Sequence, residues 1–224
     1  MFFPERVKAV HPPDRVLEVG PGSTPHPFSQ FFLEKCFPES QAVGQRGGLP
    51  PIEFHKPITY FDGGRFPFED KEFDYVICSH VLEHVPDVDL FVGELTRVAS
   101  RGYLEFPTIH YEYLYNFDEH LNLLCYRDGE VLWMPKSETR LNDFTLVQDF
   151  LRSTLRAGHD DVIQSLKESF FQGFEWTAPL VIRRVNEVGL LVPPGDEVGM
   201  KKPLSGGELI RELADRLRRR IGIG

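Results

Sequence analysis

The stretch Arg15–Gly22 reads RVLEVGPG. A short apolar run closed by Gly20-Pro21-Gly22 is the pattern of a buried strand entering a turn. Two glycines without Cβ atoms let the turn backbone come close to a ligand. In open α/β sheets, nucleotide-type ligands bind at such turns, outside the carboxyl ends of parallel strands. A dinucleotide site would need a third glycine and a helix starting at once, so that pyrophosphate could sit on the helix N-terminus. Here Pro25 and Pro27 follow, and both oppose a helix at that point. A nicotinamide-dependent oxidoreductase is therefore disfavoured.

Working outward, more short apolar runs follow. Gln30–Leu33 is a second strand candidate, and Ile58–Phe61, ended by Gly63 and Gly64, a third. Phe73–Ser79 (FDYVICS) is the clearest strand, with aromatic and β-branched residues behind the polar Glu69–Glu72 turn. Pro86 and Asp87 open a helix expected to reach about Val98, with Val88, Phe91, Leu95 and Val98 on one face. Gly102–Phe106 (GYLEF) is the next strand, and Pro107 closes it. Strands separated by connections in this rhythm predict a parallel sheet with covered faces.

Beyond Thr108 the pattern changes. Leu121–Tyr126 and Glu130–Met134 flank Arg127-Asp128-Gly129, a hairpin signal. Residues 143 to about 171 read as mostly helical, Ala178–Val185 as a late strand, and residues 192–196 as a linker. Gly206–Ile221 reads as a final helix, in which Leu209, Leu213, Leu217 and Ile221 step by four beside Arg216, Arg218, Arg219 and Arg220. Such a helix suits a weak membrane-surface contact or an oligomer contact. The expected divisions are 1–107 (ligand-binding core), 108–190 (remainder of the sheet and a substrate-side cover) and 191–224 (linker and basic helix).

Charge narrows the partners. The net charge is −9, which argues against general nucleic-acid binding, because phosphates need a basic surface. From Lys201 onward seven basic residues stand against three acids, a balance of +4, so the first 200 residues carry −13. Cys36, Cys78 and Cys125 lie far apart without a CxxC, the usage of a reducing compartment. The first ten residues lack the apolar stretch of a signal peptide, and a cytoplasmic location is expected.

A series of segments in order then carries a family resemblance. Leu17–Gly22 (LEVGPG) resembles motif I of class I S-adenosylmethionine (SAM)-dependent methyltransferases. Asp62–Tyr75 (DGGRFPFEDKEFDY) is similar to that family's D-x-x-x-L-P-F-x-D-x-x-F-D stretch, with Phe66 in place of leucine. Ser79–Val85 (SHVLEHV) resembles the segment after its fourth strand, and Leu95–Val98 with Arg101–Phe106 resemble the next. The resemblance spans about Arg15 to Pro107 and is to the broad type 11 methyltransferase group. It implies a Rossmann-like α/β fold: a mostly parallel sheet with a C-terminal antiparallel part, plus helical C-terminal additions. It further implies SAM as cofactor, S-adenosylhomocysteine as product, and methyl transfer to O or N of a small-molecule or glycan acceptor. The alternative is a catalytically inactive SAM-fold interaction module.

Carried over residue by residue, the resemblance makes Glu18, Gly20, Gly22, Glu34, Asp62, Gly63, Ser79 and His80 the cofactor-binding set. Glu18 would support the turn and the ligand's amino group, and Glu34, 14 residues after Gly20, would accept from the ribose hydroxyls. Asp62 and the Gly63 backbone would meet the adenine edge, and Ser79 and His80 the methionine arm. The family usually places a helix after motif I, and the prolines here remove or displace it. A general base helps only an acceptor that must lose a proton. His80 and His84 are the catalytic candidates, with His110 and His120 also near the expected sheet edge. Residues 80–84 also match the H-x-x-E-H of a zinc-protease class, but that motif belongs inside a helix, and here it follows a strand. Some O-methyltransferases hold a divalent metal with E-x-x-E-H at this place. His80 replaces the first glutamate, and no metal is expected. Substrate choice is expected from the aromatic stretch of Tyr111, Tyr113, Tyr115, Phe117 and Tyr126, which reads either as a stacking surface or as cover for the sheet.

Overall fold

A computed structural model of the chain describes residues 1–22, 24–36, 58–158 and 161–194. Met1–Pro193 forms one compact unit. The expected loop at 44–57 and the basic helix at 206–221 lie outside the described residues.

The main sheet contains β1 (Val16–Val19), β2 (Phe31–Lys35), β3 (Ile58–Phe61), β4 (Tyr75–Ser79), β5 (Arg101–Pro107) and β8 (Phe171–Thr177), in the order β3-β2-β1-β4-β5-β8. The first five run parallel, and β8 lies antiparallel on β5, pairing Leu104 with Phe174. This is the mixed, mostly parallel α/β sheet expected from the sequence. A second sheet, β6-β7-β9, is built from β6 (Asn122–Arg127), β7 (Glu130–Pro135) and β9 (Val181–Arg184). Its hairpin turns at Asp128 and Gly129, both with positive φ (52° and 86°), as a two-residue loop of the right twist requires.

Alternation along the strands sorts the two faces of the main sheet. Leu17, Val19, Val76, Cys78, Leu104 and Phe106 face one buried cluster, which they share with helix α1 (Val88–Val98). Asp87 caps α1 by accepting the Leu90 N–H at 2.9 Å, and Val88, Phe91, Val92, Leu95 and Val98 are its buried face. The opposite face presents Val16, Tyr75, Ile77 and Tyr103, covered by Val7, Ala9 and Val10 of the N-terminal chain. An extended segment thus does the work that a helix does on the other side. The sequence reading had no element there. It also had none at α2 (Ile109–Tyr115) or β8. The helical stretch expected from 143 to 171 is α3 (Thr145–Arg156), α4 (Asp161–Ser165) and α5 (Lys167–Phe170). Among the described residues, no helix is long and apolar enough to cross a membrane.

The sheet leaves little room between β4 and β5. A Cβ on Gly102 would stand 2.3 Å from the Val76 carbonyl oxygen and 2.8 Å from Trp176. Gly102→Ala should therefore cost roughly 3 kcal/mol, the upper range for overpacking a core, read as a lower midpoint in urea unfolding. Gly93, exposed within α1 with nothing among the described residues within 4 Å of a Cβ, is the control. Gly93→Ala should stabilise by about 0.5–1 kcal/mol.

Candidate functional site

At the carboxyl ends of β1, β2, β3 and β4 the structure holds a cavity of about 680 Å³, within the range of ligand pockets. Glu18, Gly20, Gly22, Glu34, Gly63, Ser79 and His80 all line it. Of the cofactor-binding residues expected from the sequence, only Asp62 does not. It is exposed, and its Oδ1 accepts the Gly64 N–H at 3.0 Å, so it shapes the turn that presents Gly63.

The two glycines of the first turn do different things. Gly20 has φ +63°, and a Cβ there would lie 2.5 Å from Val81 Cγ2. Its N–H donates to the Leu33 carbonyl at 2.9 Å, which ties the turn to β2 beside Glu34. Gly22 has φ +55°, and among the described residues nothing lies within 4 Å of a Cβ there, so its backbone borders open space. The segment from Thr24 to Gln30 contains no helix, as the prolines predicted. Glu18 points to the N-terminal face and is 4% exposed. Its Oε2 accepts the His26 N–H at 2.9 Å. Burial pushes its carboxyl up to about 7, against the opposing pull of Ser29 and the His26 N–H.

After β4 the chain turns sharply. His80 adopts φ +56°, a left-handed conformation unusual for a residue with a side chain. That turn sets the imidazole between two fully buried carboxylates: Nε2 lies 3.0 Å from Glu105 Oε1, and Nδ1 lies 3.3 Å from Glu83 Oε1. Burial alone would lower the His80 pKa, but the two carboxylates outweigh it and hold the ring up at about 9. Both nitrogens are engaged and the ring is protonated at neutral pH, so it has no lone pair with which to take a proton. Glu105 in turn is pulled down to about 2, its burial outweighed by His80, Tyr103 and the Phe2 N–H.

His84 is placed differently. It ends the short 3₁₀ turn Leu82–His84, which Asn122 ties down by donating Nδ2 to the Val85 carbonyl at 2.7 Å. His84 Nδ1 meets the Glu119 carbonyl oxygen at 2.9 Å. A carbonyl only accepts, so Nδ1 carries the proton and Nε2 keeps its lone pair. Burial lowers its pKa, which favours the neutral ring. His120 stands edge-on to His84, ring centroids 4.7 Å apart, with its Nδ1 hydrogen-bonded to Glu112. His110 does not line the cavity, whereas His120 does.

The aromatic stretch divides between both readings. Tyr111 and Phe117 line the cavity together with Phe2 and Phe171, while Tyr115 is buried in a cluster with Phe3 and Phe170. Tyr126 stacks on Phe174, centroids 3.6 Å apart, as sheet cover. Sequence reasoning missed Phe2, Glu105 and Phe171. Only the alternation of GYLEF, which puts a charged residue on an inward position of a buried strand, could have singled out Glu105.

Residues 40–105 match the family model described as methyltransferase domain. No curated protein matches. Among solved structures, the chain is similar to a candidate methyltransferase of Bacillus halodurans C-125 (22% identity, 47% of this chain and 49% of that one, TM-score 0.34). It is also similar to a SAM-dependent methyltransferase of Thermotoga maritima (19%, 47% and 49%, 0.33) and to one of Mesorhizobium loti (15%, 55% and 57%, 0.32). The chain thus spans about half the length of these structures. Residues 40–105 of the chain thus match a methyltransferase domain.

Proposed function

We propose that the chain transfers a methyl group from SAM to an O or N atom of a small-molecule or glycan acceptor. The observation that carries this reading is the shared cavity. One end is the bare Gly20–Gly22 backbone with Glu34 and Gly63, and the other is walled by Tyr111, Phe117 and Phe171. Cofactor and acceptor can therefore lie side by side, the arrangement that a two-reactant transfer needs. SAM supplies an electrophilic methyl group already activated on a sulfonium.

The chain's own residues bind and orient. Gly22 offers backbone to open space, Glu34 offers its carboxylate to vicinal hydroxyls, and Glu18 stands where a ligand ammonium would favour its charged form. Ser79 Oγ donates to Glu105 at 3.0 Å and is fixed by it. His80, protonated and held on both sides, is a positioning group.

Calorimetric titration with S-adenosylhomocysteine at pH 6.5, in buffers of different ionisation enthalpy, tests this. Binding is expected with release of part of a proton, because the Glu18 carboxyl is largely protonated below about 7. Glu18→Gln should bind without that release, and Glu34→Ala should weaken binding at least tenfold. Absence of binding heat with both SAM and the product, in folded protein, refutes the reading.

The same carboxyl sets a pH dependence of stability. Its folded value of about 7 lies above the ordinary 4.5, so the folded state holds the proton more tightly than the unfolded chain does. Stability therefore falls as pH rises from 4.5 to 7, by on the order of 3 kcal/mol in total. Urea unfolding across that range should show the fall in wild type and a flatter profile in Glu18→Gln.

A further inference from the structure

Two buried carboxylates beside the cavity are incompletely satisfied. Glu83 is 0% exposed, and its Oε2 has no hydrogen-bond partner among the described residues. Its Oε1 has the His80 contact at 3.3 Å. Glu112 is likewise 0% exposed, with one oxygen on His120 and Oε2 without a hydrogen bond among the described residues. Buried carboxylates in native proteins are paired, hydrogen-bonded or ligated to a metal.

The histidines nearby are arranged for the third case. Glu119 and Glu112 take the Nδ1 sides of His84 and His120, so both rings keep Nε2 as the lone-pair atom. A histidine whose other nitrogen is held by a carbonyl or carboxylate is the usual form of a metal-binding imidazole. Ligating atoms of Glu83, His84 and His120 all lie within 4.8 Å of one another, and all three residues line the cavity.

We infer that Glu83, His84 and His120 bind a divalent transition-metal ion at the acceptor end of the cavity, with Glu112 and the Glu119 carbonyl holding the two imidazoles in place. Such a metal site departs from the expectation of no metal drawn from the sequence. His80 is not part of the set, since both its nitrogens are engaged by carboxylates. Two imidazoles and one carboxylate favour zinc, iron, cobalt or nickel over magnesium, which prefers oxygen ligands. Three protein ligands leave coordination positions towards the cavity, where an oxygen-bearing ligand such as a hydroxylated acceptor or water would fit. The metal site stands without the methyltransferase reading; only its place beside the acceptor rests on it.

Untagged, chelator-stripped full-length chain titrated with Co²⁺ gives the test. A saturable visible absorption band at one ion per chain is expected, displaced by Zn²⁺ and unaffected by a tenfold excess of Mg²⁺. His120→Ala and Glu83→Gln should abolish the band, and Glu112→Gln should weaken Zn²⁺ binding 10–100-fold. Circular dichroism and S-adenosylhomocysteine titration of the same samples establish folding and score the cofactor reading separately. Folded wild type that gives no band, or an equal band in the His84→Gln/His120→Ala variant, overturns the inference.

Discussion

Glu105→Ala is expected to cost about 3–5 kcal/mol and to dismantle one wall of the cavity. The carboxylate is fully buried and collects five donors: the N–H groups of Phe2 (2.6 Å) and Phe3 (3.0 Å), Ser79 Oγ (3.0 Å), His80 Nε2 (3.0 Å) and Tyr103 OH (2.7 Å). Alanine leaves all five without their acceptor and one of them, His80, with half its counter-charge gone. Breaking a buried pair by removing one partner has a cost of this size. Glu105→Gln keeps the volume but turns two N–H donors towards other donors, so it should recover little. The carboxyl is held at about 2 in the folded chain, below the ordinary 4.5. Its contribution is therefore complete above pH 4.5 and lost as pH falls towards 2. The gap in unfolding free energy between wild type and Glu105→Ala should narrow over that interval. A gap under 1 kcal/mol at pH 6 refutes the account.

The second large effect belongs to Gly20. Gly20→Ala forces a side chain into φ +63° and sets its Cβ 2.5 Å from Val81 Cγ2. The left-handed conformation costs roughly 1–2 kcal/mol, and the contact adds to it by pushing the turn away from Val81. S-adenosylhomocysteine affinity should fall about 30–100-fold, equivalent to roughly 2–3 kcal/mol. Val81→Ala in the same chain relieves the contact but not the torsion, so it should restore part of the loss. Full restoration, or none, would show that only one of the two terms operates.

How much of this was readable beforehand follows from the range of each interaction. β1, β3, β4, β5 and α1 are local patterns, and RVLEV, ITYF, FDYVICS, GYLEF and the Val88–Val98 stripe carry them in consecutive residues. The glycine turn, Glu34 and Ser79 meet because parallel strands bring their carboxyl ends to one edge. β8 reads FQGFEWT, with a glycine and no clean alternation, and it becomes a strand by pairing with β5. Val7, Ala9 and Val10 have no regular period because they cover the sheet as extended chain. The His84–His120 juxtaposition depends on Asn122 and Leu121 bonding back to the Leu82–Val85 turn, across some forty residues. Asp62 matched its motif as sequence, yet its side chain serves its own turn.

The wall that Phe2 and Phe171 build, stacked at 3.8 Å with His80 edge-on to both, joins positions nearly 170 apart in the chain. Assembly of such a contact needs a long conformational search, since high contact order slows folding. The strands nearest in sequence can pair before β8 arrives, but the complete recess cannot. In a refolding experiment, affinity for the cofactor product would thus appear after most of the secondary structure, as a reporter of the final closure event.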